Sequence, residues 1–95
     1  MAAESLTAEV CAALSLLLQA MVSNPDAVTI VAAPADYTRI QVTVAKGSDT
    51  VKIIGMQGRT ARSLRIVLQA IAKEHGQNYQ LDINGMQVDA PIASR

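Results

Sequence analysis

The stretch Lys52-Ile53-Ile54-Gly55-Met56-Gln57-Gly58-Arg59-Thr60-Ala61-Arg62 decides how this chain is read. An apolar helix end runs into two glycines separated by two residues, and a basic amphipathic helix starts at once. Gly55 and Gly58 lack Cβ atoms, so each tolerates φ > 0 and a close approach of another backbone. The first turn of the following helix carries unpaired N–H groups, which together with the helix dipole favour an anion. A phosphodiester suits a bare main-chain loop flanked by Lys52, Arg59 and Arg62. Two glycines at this spacing also mark plain turns. The apolar run before them, the basic helix after them and the order of the surrounding elements favour the anion loop.

Upstream, residues 8–22 read as a helix with Thr7 as N-cap and Glu9 in the first turn. Leu14, Leu17, Leu18 and Met21 share one face, extended by Val10 and Cys11. Pro25 ends it. Residues 27–33 and 37–45 alternate apolar and polar and form an antiparallel hairpin about the turn 33–36, with Thr38, Ile40, Val42 and Val44 on one side. Ser48 caps a short helix, 49–54, whose inner face carries Val51 and Ile54.

Downstream, a helix over 59–75 has Leu64, Val67, Leu68 and Ile71 as its core stripe and Arg62, Arg65, Gln69 and Lys73 as its polar stripe. Ile66 and Ala70 lie off both. Gly76 stands at the residue after the cap. Residues 79–84 form a third strand with Tyr79, Leu81 and Ile83 on one face. Asn84-Gly85 is a hairpin dipeptide, so Met86-Gln87-Val88 either folds back as a fourth strand or belongs to a loose tail containing Pro91. The chain is expected to be one domain, 8–84, between a flexible N-terminus, 1–7, and a tail or short extra strand, 85–95.

Composition narrows the function. Net charge is zero, but residues 1–51 carry −3, residues 52–76 carry +4 and residues 77–95 carry −1. Positive charge therefore gathers on the glycine loop and its helix; solvated helix charges would give the same count. With two Tyr, no Phe and no Trp, the chain has few rings on which to stack bases. Cys11 is the one cysteine, which excludes a disulfide framework and a cysteine metal site and fits a small buried hydrophobe. Glu4 and Glu9 precede the N-terminal apolar run where a signal peptide needs positive charge. No stretch reaches the ~20 apolar residues of a membrane span, so the expected compartment is the cytoplasm. His75, the one histidine, falls at a helix C-terminus, where a partly charged ring suits the dipole. No nucleophile–base pair and no Gly-Lys-Ser/Thr ending is present, so an enzyme is not expected.

The order helix, strand, strand, helix, glycine loop, helix, strand resembles a type II KH domain, an α+β fold with a three-stranded sheet packed on helices. More narrowly it is similar to the KhpA-like group of small bacterial proteins made of one KH domain. Lys52, Ile54, Gly55, Gln57, Gly58, Arg59, Ala61 and Arg65 stand at matching positions, and the likeness spans about residues 8–84. The resemblance implies an RNA-binding protein that grips single-stranded RNA at Lys52, Ile54, Gly55, Met56, Gln57, Gly58, Arg59 and Arg62, over about four nucleotides. It implies an RNA chaperone or post-transcriptional regulator with no cofactor and no metal, which forms a homodimer or pairs with a KhpB/Jag-like protein. Met56 departs from the lysine usual there and lowers the expected affinity. Bases would lie against Ile54, Leu64, Val51, Ile53 and the second strand, with Arg39 and Gln41 as readers; residues such as Val51, Ile54 and Leu64 are more often core than groove. The alternative is a KH fold serving as a protein–protein dimerisation module through an Ile66/Ala70 patch and Met86.

Overall fold

A computed structural model of the chain describes residues 3–34, 37–45 and 47–88. Three helices cover one face of a sheet: α1 Ala3–Met21, β1 Val28–Ala33, β2 Thr38–Val44, α2 Gly47–Ile54, α3 Arg59–Glu74, β3 Tyr79–Ile83 and β4 Met86–Gln87. This is the expected α-β-β-α-α-β order, with a fourth short strand added. The sheet order is β1-β2-β3-β4. β1 and β2 pair antiparallel from Val28↔Val44 to Ala33↔Arg39. β2 and β3 pair in parallel, Thr38↔Tyr79 to Val42↔Ile83, which sends α2 and α3 across one face as the crossover.

The strand pattern does what alternation predicts. Val28, Ile40, Val42, Val44, Tyr79, Leu81 and Ile83 are buried and point to the helix side. Leu6, Val10, Leu14 and Leu18 of α1 pack on them at strict four-residue spacing. A fully buried leucine contributes ~2 kcal/mol. The helix starts at Ala3, earlier than expected, so residues 3–7 are part of the fold. Leu6 enters the core, and the Thr7 hydroxyl donates to the Ala3 carbonyl at 2.9 Å and lies 3.1 Å from the buried Tyr79 hydroxyl. Thr7 therefore ties α1 to β3 and is not a cap. Leu17 faces outward. By length and composition α1 is apolar enough to cross a membrane, but its buried stripe belongs to this core. Cys11 is half-buried, and burial pushes its thiol pKa up.

Three polar fastenings set the corners. At the end of α3, Gln77 N–H bonds the Ala72 carbonyl at 2.7 Å and Gly76 N–H bonds that of Lys73 at 3.3 Å, a Schellman closure with Gly76 in the predicted place. At the β3–β4 turn, Asn84 and Gly85 both have positive φ, 51° and 82°, as a two-residue hairpin requires. The Asn84 amide also extends the β2 edge, accepting from Val44 N–H at 2.7 Å and donating to the Val44 carbonyl at 3.3 Å. Residues 86–87 thus take the hairpin alternative. Residues 89–95, including Pro91, lie outside the described residues.

The third fastening overturns the reading of α2. The helix begins at Gly47, so Ser48 lies within it and is not its cap. The inward residues are Asp49 and Ile53, four apart, and Val51 is 67% exposed. Asp49 is fully buried because its Oδ1 accepts from Ser23 N–H at 3.0 Å and the Ser23 hydroxyl at 2.9 Å, and Oδ2 accepts from Asn24 N–H at 3.3 Å. The carboxylate closes the corner after α1 and pins α2 to it. Apolar counting missed this because the buried residue is charged. On α3 the same kind of shift leaves Val67 exposed, with Ala61, Leu68 and Ala72 buried.

The Ser23 N–H holds the Asp49 pKa below its ordinary value, against desolvation, with help from the Ser23 hydroxyl, Asn24 N–H and Lys52. A depressed carboxylate pKa stabilises the fold above the unfolded value of about 3.9. That contribution fades as pH falls through the lower folded value. Asp49→Ala is expected to lower the thermal midpoint at pH 7 by on the order of 10 °C. Asp49→Asn should flatten the acid limb of a stability–pH curve below about pH 4. A wild-type midpoint unchanged by Asp49→Ala contradicts the corner assignment.

Candidate nucleic-acid interface

The link between α2 and α3 is four residues long, and its shape comes from two glycines with different tasks. Gly55 has φ 81°, ψ 172°, a region essentially closed to side chains. A Cβ there would lie 2.8 Å from Thr60 Cβ and 2.9 Å from Thr60 N. The α2 end therefore rests its bare α-carbon on the second residue of α3. Gln57, at φ 55°, ψ 25°, and Gly58, at φ 75°, ψ 14°, are both left-handed and reverse the chain into α3.

The loop amides divide into two sets. Gly55 N–H bonds the Val51 carbonyl at 2.9 Å and Gly58 N–H bonds the Gly55 carbonyl at 3.1 Å; Arg59 N–H bonds the Met56 carbonyl. The glycines' own amides are thus committed inside the turn. Among the described residues, the N–H groups of Met56 and Gln57 make no hydrogen bond. Both residues are exposed, Met56 at 75%. The unbonded main-chain donors of the loop are therefore those of the two residues between the glycines.

The predicted cations are differently placed. Lys52 Nζ lies 3.5 Å from Asp49 Oδ1, half-exposed. Arg62 Nη1 donates to the Gln57 carbonyl at 2.7 Å. Among the described residues, the exposed Arg59 makes no hydrogen bond or ion pair through its side chain. Ile54 is half-buried beneath the loop and packs on the core. Lys52, Ile54, Gly55, Met56, Gln57, Gly58, Arg59 and Arg62 thus do cluster at one end of the molecule.

The groove differs from expectation. Ile53 is fully buried and is core. β2 lies between β1 and β3, so it has no open edge. Arg39 is engaged by the Tyr37 hydroxyl at 2.8 Å and Asp82 at 3.3 Å. The strand beside α3 is β3, and a cavity of about 200 Å³ opens there, lined by Arg65, Gln69, Asn78, Gln80 and Gln87 among others. Arg65 and Gln69 were legible as a polar stripe. Of the opposing residues, Gln80 comes into place through the pairing of β3 with β2, and Gln87 only through the Asn84-Gly85 hairpin.

A helix–loop–helix with an exposed Gly-x-x-Gly turn, set across a sheet in this order, is the geometry of a KH domain, and the family model described as KhpA/KhpB, KH domain, matches residues 12–83. The chain belongs to that family. It is also similar to the RNA-binding protein KhpA of Treponema pallidum (strain Nichols), 33% identical over 70 residues, which span 74% of this chain and 88% of that protein. No solved structure matched. In this KhpA/KhpB-family domain Gly55 shapes the loop, and its role is separable by experiment from that of a glycine outside the loop. Gly55→Ala is expected to cost roughly 1–3 kcal/mol in urea unfolding, from backbone strain and the Thr60 contact. Gly47→Ala, with open space around it and no positive φ, should be neutral or slightly stabilising. Equal effects of the two changes would refute the assignment.

Proposed function

We propose that this chain binds single-stranded RNA by its sugar–phosphate backbone, with Met56 and Gln57 N–H donating to phosphate oxygens and Arg59 beside them. The observation that carries this reading is the pair of main-chain N–H groups, on two exposed residues, that the closed turn leaves unbonded. The likeness to a relative named as an RNA-binding protein supports it. Lys52 and Arg62 add positive potential at short range; Gly55, Gly58 and Ile54 hold the loop in shape. The cavity beside β3 offers amide groups to bases. The role that follows is an RNA chaperone or post-transcriptional regulator in the cytoplasm, with no chemical step.

The test is an anisotropy titration with short labelled RNA and DNA oligomers at several salt concentrations. Contact with two to three phosphates gives a log–log slope of about −1.4 to −2.1, at about −0.7 per phosphate for single strands. Met56→Asp combined with Gln57→Asp should weaken binding by ~10-fold or more through charge repulsion, with the fold intact. A folded double variant that binds as well as the wild type sinks the reading.

A second reading is favoured by a specific observation and is compatible with the first. We infer that the domain also self-associates, or pairs with a KhpB/Jag-like partner, through the outer sides of α1 and α3. Leu17 and Val67 are exposed there, and a shallow apolar cavity of about 200 Å³ runs between the helices past Ala13, Leu17, Val67 and Ile71. Val67→Asp is expected to shift sedimentation equilibrium to monomer while leaving the circular dichroism spectrum unchanged. A wild-type chain that is monomeric at ~100 μM, a concentration matching about −5 kcal/mol of association, counts against homodimerisation.

A further inference from the structure

We infer that Arg62 is a positioning residue for the loop, holding Gln57 in its left-handed conformation so that the amides ahead of it stay turned outward. This rests on the RNA-binding reading and assigns Arg62 a role other than meeting phosphate directly. Gln57 is the strained residue of the turn: φ is 55° at a side chain that is not glycine, a conformation that persists only when its surroundings impose it. Something must hold it, and Arg62 is the side chain that does. Its Nη1 donates to the Gln57 carbonyl at 2.7 Å, the short distance of a charge-assisted bond.

The route of the arm explains the second glycine. A Cβ at Gly58 would stand 2.9 Å from Arg62 Nη1, so the guanidinium crosses the bare α-carbon of Gly58 to reach the carbonyl behind it. Gly58 is thus needed for its φ of 75° and also as the passage for Arg62. The arm is anchored one turn into α3, on helical backbone flanked by the buried Ala61, so its origin is fixed. The bond also occupies a carbonyl oxygen at the loop tip that would otherwise present negative partial charge to an approaching phosphate. The guanidinium keeps its own positive charge there, where the neutral Met56 supplies none.

Positioning and direct contact separate in a double-mutant cycle. The effect of Arg62→Ala on RNA affinity is measured in the wild-type chain and in the Gln57→Gly background, with the three-bond HN–Hα coupling at residue 57 followed by NMR. Glycine takes φ > 0 unaided, so a positioning role predicts a loss of ~5–10-fold in the wild-type chain. It predicts little further loss in the Gln57→Gly background. The coupling at Gln57 should leave its left-handed value in Arg62→Ala, and the salt slope should change little. A direct phosphate contact gives the same loss in both backgrounds and a slope reduced by about 0.7. That result overturns the inference and leaves the RNA reading standing. An unchanged coupling in Arg62→Ala overturns it as well. If the wild-type chain binds no RNA, the RNA reading fails, and the coupling still decides whether Arg62 holds Gln57.

Discussion

The contact between the α-carbon of Gly55 and Thr60 is the constraint from which the candidate site follows. With φ 81° and ψ 172°, α2 stops without a side chain at its end and lies against the first turn of α3. The buried residues nearest the link are Ile53 on one side and Ala61 on the other. Between those two anchors the chain has too few residues to wander, so the turn must close on itself. Gly58 N–H and Arg59 N–H are absorbed by that closure, and the amides of Met56 and Gln57 are left on the outside. Exposure of two main-chain donors is therefore a geometric by-product of joining two helices this tightly. A longer link would let those amides find partners within the chain.

The electrostatics of the site are weaker than a count of cations suggests. The segment 52–76 has a net charge of +4, yet much of it is engaged at home. Lys52 faces the buried Asp49 at 3.5 Å, Arg62 bonds the loop, and Arg65 donates to Gln69 at 2.6 Å. Each of these bonds holds a side chain in one geometry and lowers its freedom to follow a mobile phosphate. Arg59 is the cation of the cluster whose side chain is free among the described residues. A binding mode that relies on two amides and few cations has a shallow salt dependence compared with a generic polyanion binder. That agrees with a chain of zero net charge.

The architecture was legible because most elements carried a local sign, although residues 86–87 fitted two readings. The period-two alternation of 38–44, Asn84-Gly85, Gly76 after α3 and the Gly-x-x-Gly link were all read correctly. What failed were helix faces and ends. Apolar counting placed Val51 and Ile54 inward on α2; Ile54 does pack on the core, but Val51 is exposed and the fully buried pair is Asp49 and Ile53, since Ser23 and Asn24 supply a carboxylate with three hydrogen bonds that no local pattern announces. Thr7 looked like a cap because threonine is a good one, yet Tyr79, far along the chain, gives its hydroxyl a tertiary partner. At the site, the gathering of these residues around the loop was legible but not how they bond to one another. Which amide is free and which arginine folds back depend on the φ of Gln57, a residue type that gives no advance sign of a left-handed conformation.

α3 brings these strands of argument together because it presents three faces with three chemistries. Ala61, Leu68 and Ala72 are buried in the core. Arg62, Arg65 and Gln69 run from the loop to the cavity beside β3. Val67 is exposed on the side shared with α1. The helix has 16 residues, long enough for each face to repeat across several turns. A partner on the aliphatic side would leave the loop and its amides uncovered, and RNA on the polar side would leave Val67 uncovered. Binding and association thus need not compete for surface. Because both faces belong to one rigid element, pairing two copies through the aliphatic side would fix the spacing of two loops. The effective concentration of the second loop for a bound strand would then rise without any new contact within the domain.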